Sequence, residues 1–179
     1  MSLRHAILAM LDIEKGSGYD LVKRFDQSVS YFWAAPYQQI YRELQKLEAS
    51  GFLNSVAVVQ QGKPDKKVYD VTEGGVNELK AWLEKPAKAM KIKEPLLIKI
   101  YAGDLADKGA LLEEIQQHKN DHAETLLQYK EVSQLLSSLE EPLRTKYFLP
   151  HQTLKLGIKI EESWLEWAEE ILETLQDMA

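Results

Sequence analysis

Ala35-Pro36-Tyr37-Gln38-Gln39-Ile40-Tyr41-Arg42-Glu43-Leu44-Gln45-Lys46-Leu47-Glu48-Ala49-Ser50-Gly51-Phe52-Leu53 reads as one short helix with two unlike faces. Ile40, Leu44 and Leu47 recur at spacings of four and three, so they share one side and face a core. Gln38, Arg42 and Gln45 repeat that spacing on the opposite side, with Gln39 and Lys46 beside them. A glutamine can grip an adenine edge and an arginine a guanine edge, each with two hydrogen bonds. Pro36 suits a first helical turn, where the N–H it lacks would have no partner. Gly51 stands where a left-handed helix stop belongs. By itself the segment fits any amphipathic surface helix; its neighbours narrow the choice.

Upstream, Leu3, Ile7, Leu8 and Leu11 form an apolar stripe at helical spacing, ending near Lys15-Gly16-Ser17-Gly18. A second helix starts at Ser17 or Gly18 and carries Tyr19, Leu21, Val22 and Phe25. Downstream the period changes to that of strands, with Val56 and Val58 in one run and Val68, Tyr69 and Val71 in the next. Between them lies Gln60-Gln61-Gly62-Lys63-Pro64-Asp65-Lys66-Lys67, a Gly/Pro turn with three lysines. Three helices followed by a hairpin with a basic tip give the order of a winged helix-turn-helix. Its recognition helix enters the major groove while the wing follows phosphates or probes the minor groove. Thr72 then caps a further helix, whose buried face is Leu79, Trp82 and Leu83 and which Pro86 closes.

The chain of 179 residues can hold one domain or two small ones, and its apolar fraction of 45% suffices for a packed core. With no cysteine, disulfides and thiolate metal sites are excluded, which fits a cytoplasmic protein. No apolar run is long enough to span a membrane, and the start of the chain, with Asp12 and Glu14 soon after its apolar stretch, does not read as a signal peptide. The net charge of −6 is unevenly placed. Residues 1–85 hold 11 Lys/Arg and 11 Asp/Glu, whereas residues 86–179 hold 11 and 17. Binding to DNA depends on the local field, so a basic footprint from Arg42, Lys46, Lys63, Lys66 and Lys67 is compatible with the acidic total.

Pro86 to Pro95 is the one plausible linker, which divides the chain into domains 1–85 and 96–179. The second is all helix: a short apolar turn from Leu96 to Tyr101, a long helix from about Asp107 to Leu139, and a last helix that starts between Leu143 and Gln152. That last helix has two apolar seams, Leu154, Ile158, Leu165, Ala168, Leu172, Leu175 and Gly157, Ile160, Trp164, Trp167, Ile171. A helix on the outside of a monomer needs one stripe. The second seam predicts a homodimer whose interface includes Leu154, Gly157, Ile158, Trp164, Leu165, Ala168 and Leu172, the alternative being a self-contained two-helix hairpin packed on the winged domain. Symmetric pairing would also present two recognition helices to a palindrome.

No enzyme signature stands out. Gly16-Ser17-Gly18 is too short for a phosphate loop, and Ser17, His5 and Asp20 form no recognisable triad. His118 and His122 have the spacing of a two-histidine metal site but lack the glutamate of His-Glu-x-x-His, so no metal and no cofactor is expected. Glu161-Glu162 and Glu169-Glu170 read as solvated helix faces. A pocket near His118, His151, Trp164 or Trp167 would let aromatic rings stack on a flat effector, and the same rings fit equally well as core.

In its order of motifs the chain resembles the PadR family of bacterial transcriptional regulators over nearly its full length. The matching pieces are Leu3-Arg4-His5-Ala6-Ile7-Leu8, Ser17-Gly18-Tyr19-Asp20-Leu21, Phe32-Trp33-Ala34-Ala35, Gln38 to Leu44, Leu47-Glu48-Ala49-Ser50-Gly51, Gly62 to Tyr69 and Thr72-Glu73-Gly74-Gly75. The later half is similar to the helical domain of the longer PadR-like regulators at Glu94 to Lys99, Gly103-Asp104-Leu105, Leu156-Gly157-Ile158 and Trp164-Leu165. The resemblance implies a mainly α fold with a small β-hairpin wing, in which a winged helix-turn-helix precedes a long-helix dimerisation domain. It implies a homodimer on palindromic double-stranded DNA, a repressor or an activator, that in some members answers to phenolic acids or other small aromatic compounds. By position, Gln38, Gln39 and Arg42 would read bases, Tyr19, Tyr37 and Tyr41 would touch the backbone, and Lys63, Lys66 and Lys67 would serve the wing. Pro36 stands where the family often has Ser or Thr, and Lys63 where an Arg is common, a weaker minor-groove probe. The rival expectation is a winged-helix protein-interaction module.

Overall fold

The structure, a computed structural model, describes residues 3–28, 33, 35–59, 65–87 and 92–177. It forms two compact units, residues 1–89 and 90–179.

The first unit is built on helix α1 (Leu3–Ile13), strand β1 (Gly16–Ser17), helices α2 (Gly18–Ser28) and α3 (Tyr37–Ala49), strands β2 (Leu53–Val58) and β3 (Lys66–Val71), and helix α4 (Glu73–Leu83). The predicted apolar stripes meet in one core. Ile7, Leu8 and Leu11 of α1, Leu21 and Phe25 of α2, and Ile40, Leu44 and Leu47 of α3 are all fully buried there. At about 25 cal/mol per Å² of apolar surface, each such side chain contributes roughly 1.5–3 kcal/mol.

Helix α3 stops as its sequence predicts. Gly51 takes φ 73°. Its N–H donates to Glu48 O, and the next N–H, of Phe52, reaches back to Leu47 O, both at 2.9 Å. This pair of bonds is the Schellman arrangement, which glycine adopts without the steric cost of a Cβ. Pro36, expected inside the first turn, is instead the residue just before the helix, and its carbonyl accepts from Gln39 and Ile40 N–H.

The hairpin β2–β3 is in register from Leu53↔Val71 to Val58↔Lys66. A third strand joins it: β1 pairs antiparallel with β3, Gly16 opposite Tyr69 and Ser17 opposite Val68, giving the order β1-β3-β2. Two residues are too few to show a period in sequence, so this strand escaped prediction. Thr72 caps α4 by accepting from Gly75 N–H at 3.1 Å, and its hydroxyl donates to Gly51 O at 2.7 Å. Leu79 is buried and Trp82 packs on the core, but Leu83 is 64% exposed, contrary to expectation. It is the last residue of the helix and lies past the packed stripe.

The second unit comprises α5 (Pro95–Tyr101), a 3₁₀ turn (Gly103–Leu105), and two long helices, α6 (Lys108–Ser137) and α7 (Leu143–Asp177). Asp107 caps α6 by accepting from Ala110 N–H at 2.8 Å. Ion pairs Lys119–Glu169 at 3.0 Å and Lys130–Glu162 at 2.8 Å, with a Ser133–His151 hydrogen bond of 2.8 Å, show α6 and α7 running antiparallel. Leu96, Leu111, Ile115, Ala168 and Leu172 form the core, with Trp164, Trp167 and Ile171 packed on it. Both predicted seams of α7 thus contribute to the packing within the chain.

Glu161 corrects the prediction of a solvated face. It is only 6% exposed, and its carboxylate meets His122 Nδ1 at 2.5 Å. Position 161 follows Gly157 by four residues and precedes Ala168 by seven, so it falls on the buried side of the helix. A carboxylate is tolerated there because a hydrogen-bonding partner faces it.

Candidate nucleic-acid interface

With Ile40, Leu44 and Leu47 committed to the core, α3 turns Gln38, Gln39, Tyr41, Arg42, Gln45 and Lys46 outward, all exposed. Arg42 makes no ion pair among the described residues, and Lys46 has only an exposed 3.4 Å contact with Glu43. A side chain free of internal partners loses little when it engages a base edge.

Three tyrosines border this face, Tyr19 71% exposed, Tyr37 55% and Tyr41 43%. Tyr37 Oη donates to Asp26 at 2.9 Å, which ties α3 to α2 and raises the phenol's pKa above its usual value. The Tyr41 ring lies on the first turn of α2. A Cβ on Gly18 would overlap Tyr41 Cε1 and come within 3.1 Å of Cδ1, so only glycine lets the ring lie there.

The wing's basal lysines part to opposite sides of β3, as successive strand residues do. Lys66 lies 3.6 Å from Asp20 of α2, and Lys67 bonds Glu48 of α3 at 2.6 Å while its Nζ stands 5.4 Å from the Tyr69 ring centre. Asp20 also accepts from the Ser17 hydroxyl at 2.7 Å and the Ser17 N–H at 3.0 Å, and Ser17 Oγ accepts from Asp20 N–H in return. The Ser17 bonds, with help from Lys66, hold the Asp20 carboxyl below its usual range. Lys63 lies outside the described residues.

Asp20, Asp26 and Glu48 were not among the predicted site residues. Ser17-x-x-Asp20 carries the spacing of a reciprocal helix cap and could have been found. Glu48 and Lys67 are 19 residues apart, and only the folded hairpin brings them together.

In the second unit, Trp164 stacks on His122 with ring centres 4.3 Å apart, lies 6.1 Å from His118, and meets Trp167 edge-on at 4.9 Å. His151 is elsewhere. It is thirteen residues from Trp164 along one helix, roughly 20 Å at the α-helical rise, so the four predicted effector residues do not converge. Burial, with the nearby charge of Lys155, lowers its pKa. Of the predicted dimer residues, Leu154, Gly157, Ala168 and Leu172 are buried within the chain, while Ile158, Trp164 and Leu165 keep part of their surface open.

Residues 7–81 match the PadR-like transcriptional regulator family, and residues 92–176 match the C-terminal domain described as virulence activator alpha. The chain is 32% identical to the probable transcriptional regulator Rv1176c of Mycobacterium tuberculosis, over 99% of each protein. The chain belongs to the PadR-like family of transcriptional regulators. It is 27% identical to the negative transcriptional regulator PadR of Bacillus subtilis, over 95% of each. The crystal structure of that PadR with operator DNA aligns at TM-score 0.77, covering 97% of this chain and 98% of the other. Its complex with p-coumaric acid aligns at 0.70, with 25% identity, covering 97% and 95%. The Vibrio cholerae virulence activator AphA aligns at 0.73, with 27% identity, covering 99% and 100%. The mainly helical winged fold expected from sequence is therefore the fold observed, in a family of regulators and not of enzymes. Among the described residues no helix is long and apolar enough to cross a membrane.

Proposed function

We propose that this PadR-like protein is a cytoplasmic repressor that binds a palindromic operator as a homodimer. The observation that carries this reading is the exposed face of α3, where Gln38, Gln39 and Arg42 stand free above a fully buried apolar back. In the proposed complex these three read base edges in the major groove, Tyr19, Tyr37 and Tyr41 fix the register on the phosphates, and Lys46, Lys63, Lys66 and Lys67 add charge. Residues 1–85 form the DNA-binding domain, 86–95 the linker and 96–179 the domain of pairing and effector control. Pairing uses the C-terminal helices, where Ile158, Trp164 and Leu165 retain surface for a second copy. The sign of regulation follows the negative regulator of Bacillus subtilis. The crystal complex of that protein with p-coumaric acid supports release by a small aromatic acid, with His118, Trp164 and Trp167 as the candidate rings.

Selection from a library of duplex palindromes at two salt concentrations tests the proposal. The expected result is one enriched palindrome, bound more weakly as salt rises. Arg42→Ala is expected to lower operator affinity by about 10- to 100-fold, the loss of one bidentate base contact worth roughly 1–3 kcal/mol. No enrichment at low salt would overturn operator reading and favour a protein partner for the same face.

A further inference from the structure

The lysines at the base of the wing do not point freely into solvent. Lys66 reaches α2 through Asp20 and Lys67 reaches α3 through Glu48, so the two ends of the helix-turn-helix are each tied to the same strand. Glu48 is doubly held, for Ser55 of β2 donates its hydroxyl to the other carboxylate oxygen at 2.5 Å. One side chain thus joins the last turn of the recognition helix to both strands of the hairpin. We propose that Glu48 and Asp20 are positioning residues that pin the wing to the helix-turn-helix and withhold the charge of Lys67 and Lys66 from DNA lacking the operator. The Lys67 and Ser55 bonds hold the Glu48 carboxyl below its usual range, the direction expected of a carboxylate gripped by a cation and a hydroxyl.

This inference rests on the operator-binding reading above and adds a source of specificity to it. Non-specific affinity is set by how many phosphates a protein neutralises, each adding about 0.9 to the slope of log K against log salt. A lysine already occupied by a carboxylate adds less than a free one. On the operator, base contacts from α3 bring the wing close enough for phosphates to displace Asp20 and Glu48. On other DNA nothing offsets the loss of the two internal pairs. The ratio of operator to non-operator affinity, which decides occupancy among many competing sites, then rises without any further base contact.

The test is titration of full-length protein against the selected operator and a scrambled duplex over a salt series. Glu48→Gln, which keeps the size of the side chain, is expected to tighten scrambled-DNA binding several-fold and steepen its salt slope by up to about one phosphate. The operator-to-scrambled ratio should fall. In a Lys67→Met background the same change should do nothing to the slope. Asp20→Asn, alone and over Lys66→Met, tests the other arm independently and serves if Glu48→Gln fails to fold. An unchanged slope and ratio in a variant that melts like the parent would overturn the proposal, as would an effect that persists without the lysine. Failure of the parent to prefer any operator would instead overturn the regulator reading, so the two failures are distinct.

Discussion

Gly75→Ala should destabilise the first unit although alanine is the better helix former. Gly75 is the third residue of α4, and its Cα lies against the chain at the entry of β2. A Cβ there would overlap Phe52 O and stand 2.8 Å from Val71 Cγ1. The carbonyl has no room to yield. It accepts from Thr72 N–H at 3.1 Å, and the same residue's N–H is held by Leu47 O at 2.9 Å in the stop of α3. Overpacking of this kind costs about 1–3 kcal/mol, and a pinned backbone places the cost near the upper end. The intrinsic gain of alanine over glycine is at most about 1 kcal/mol. The net loss is therefore about 2 kcal/mol. With a urea dependence of about 1–3 kcal/mol per molar, the midpoint should fall by roughly 1 M. Gly74→Ala is the internal control. Its Cβ would meet nothing nearer than 3.6 Å, so the neighbouring substitution should leave the midpoint unchanged or raise it. Urea unfolding of both variants, followed by circular dichroism, decides the matter. Equal stabilisation by the two alanines would refute the steric argument.

Gly18→Ala should displace the Tyr41 ring and weaken operator binding more than it lowers the melting temperature, a difference read by pairing DNA titration with thermal unfolding. Glu161→Ala removes the carboxylate that faces His122 inside the α6–α7 seam and should cost about 1–3 kcal/mol, measured by urea unfolding; Glu161→Gln, which retains an acceptor, should cost less. The acid limb of stability should be carried partly by Asp20 and Glu48. Both carboxyls have pKa values lowered on folding, so the unfolded chain binds their protons more readily; their contribution is present above the ordinary carboxylate pKa and is lost as pH falls through the folded value. Asp20→Asn with Glu48→Gln should flatten that limb in a pH series of melting temperatures. His151 acts at higher pH. Its lowered pKa means the folded state disfavours its charge, so stability should decline as pH falls below the ordinary histidine value of 6.5, and His151→Gln should remove that decline.

The first unit was readable from sequence where local chemistry alone decides. The stripe Ile40, Leu44, Leu47 had the period of a buried helix face, Gly51 the requirement for positive φ, and Thr72 the capping hydroxyl, and each adopted the form its chemistry dictates. What escaped depends on the chain folding back on itself. The strand at Gly16–Ser17 exists only because β3 lies beside it. Nothing in the local sequence of Glu48 and Asp20 points to the two lysines that the folded hairpin delivers to them. On α7 the two seams were rightly seen as apolar, and the spacing of Gly157, Glu161 and Ala168 puts them on one face, but spacing alone could not say that this face is buried or that His122 of α6 would stand opposite Glu161.

The pairing of Glu161 with His122 bears on how α6 finds its place along α7. Two long helices with repeating apolar stripes can pack almost as well after sliding by one turn, about 5.4 Å, because leucines and isoleucines exchange partners with little loss. A carboxylate set among them makes that slide costly. Moved one turn toward Leu126, Glu161 would face an apolar side chain and His122 would lose its acceptor, a penalty that no repacking of methyl groups repairs; moved the other way it would meet His118. The pair thus bears on the uniqueness of the native register as well as on its stability, and it opposes a slide toward Leu126 more than a slide toward His118.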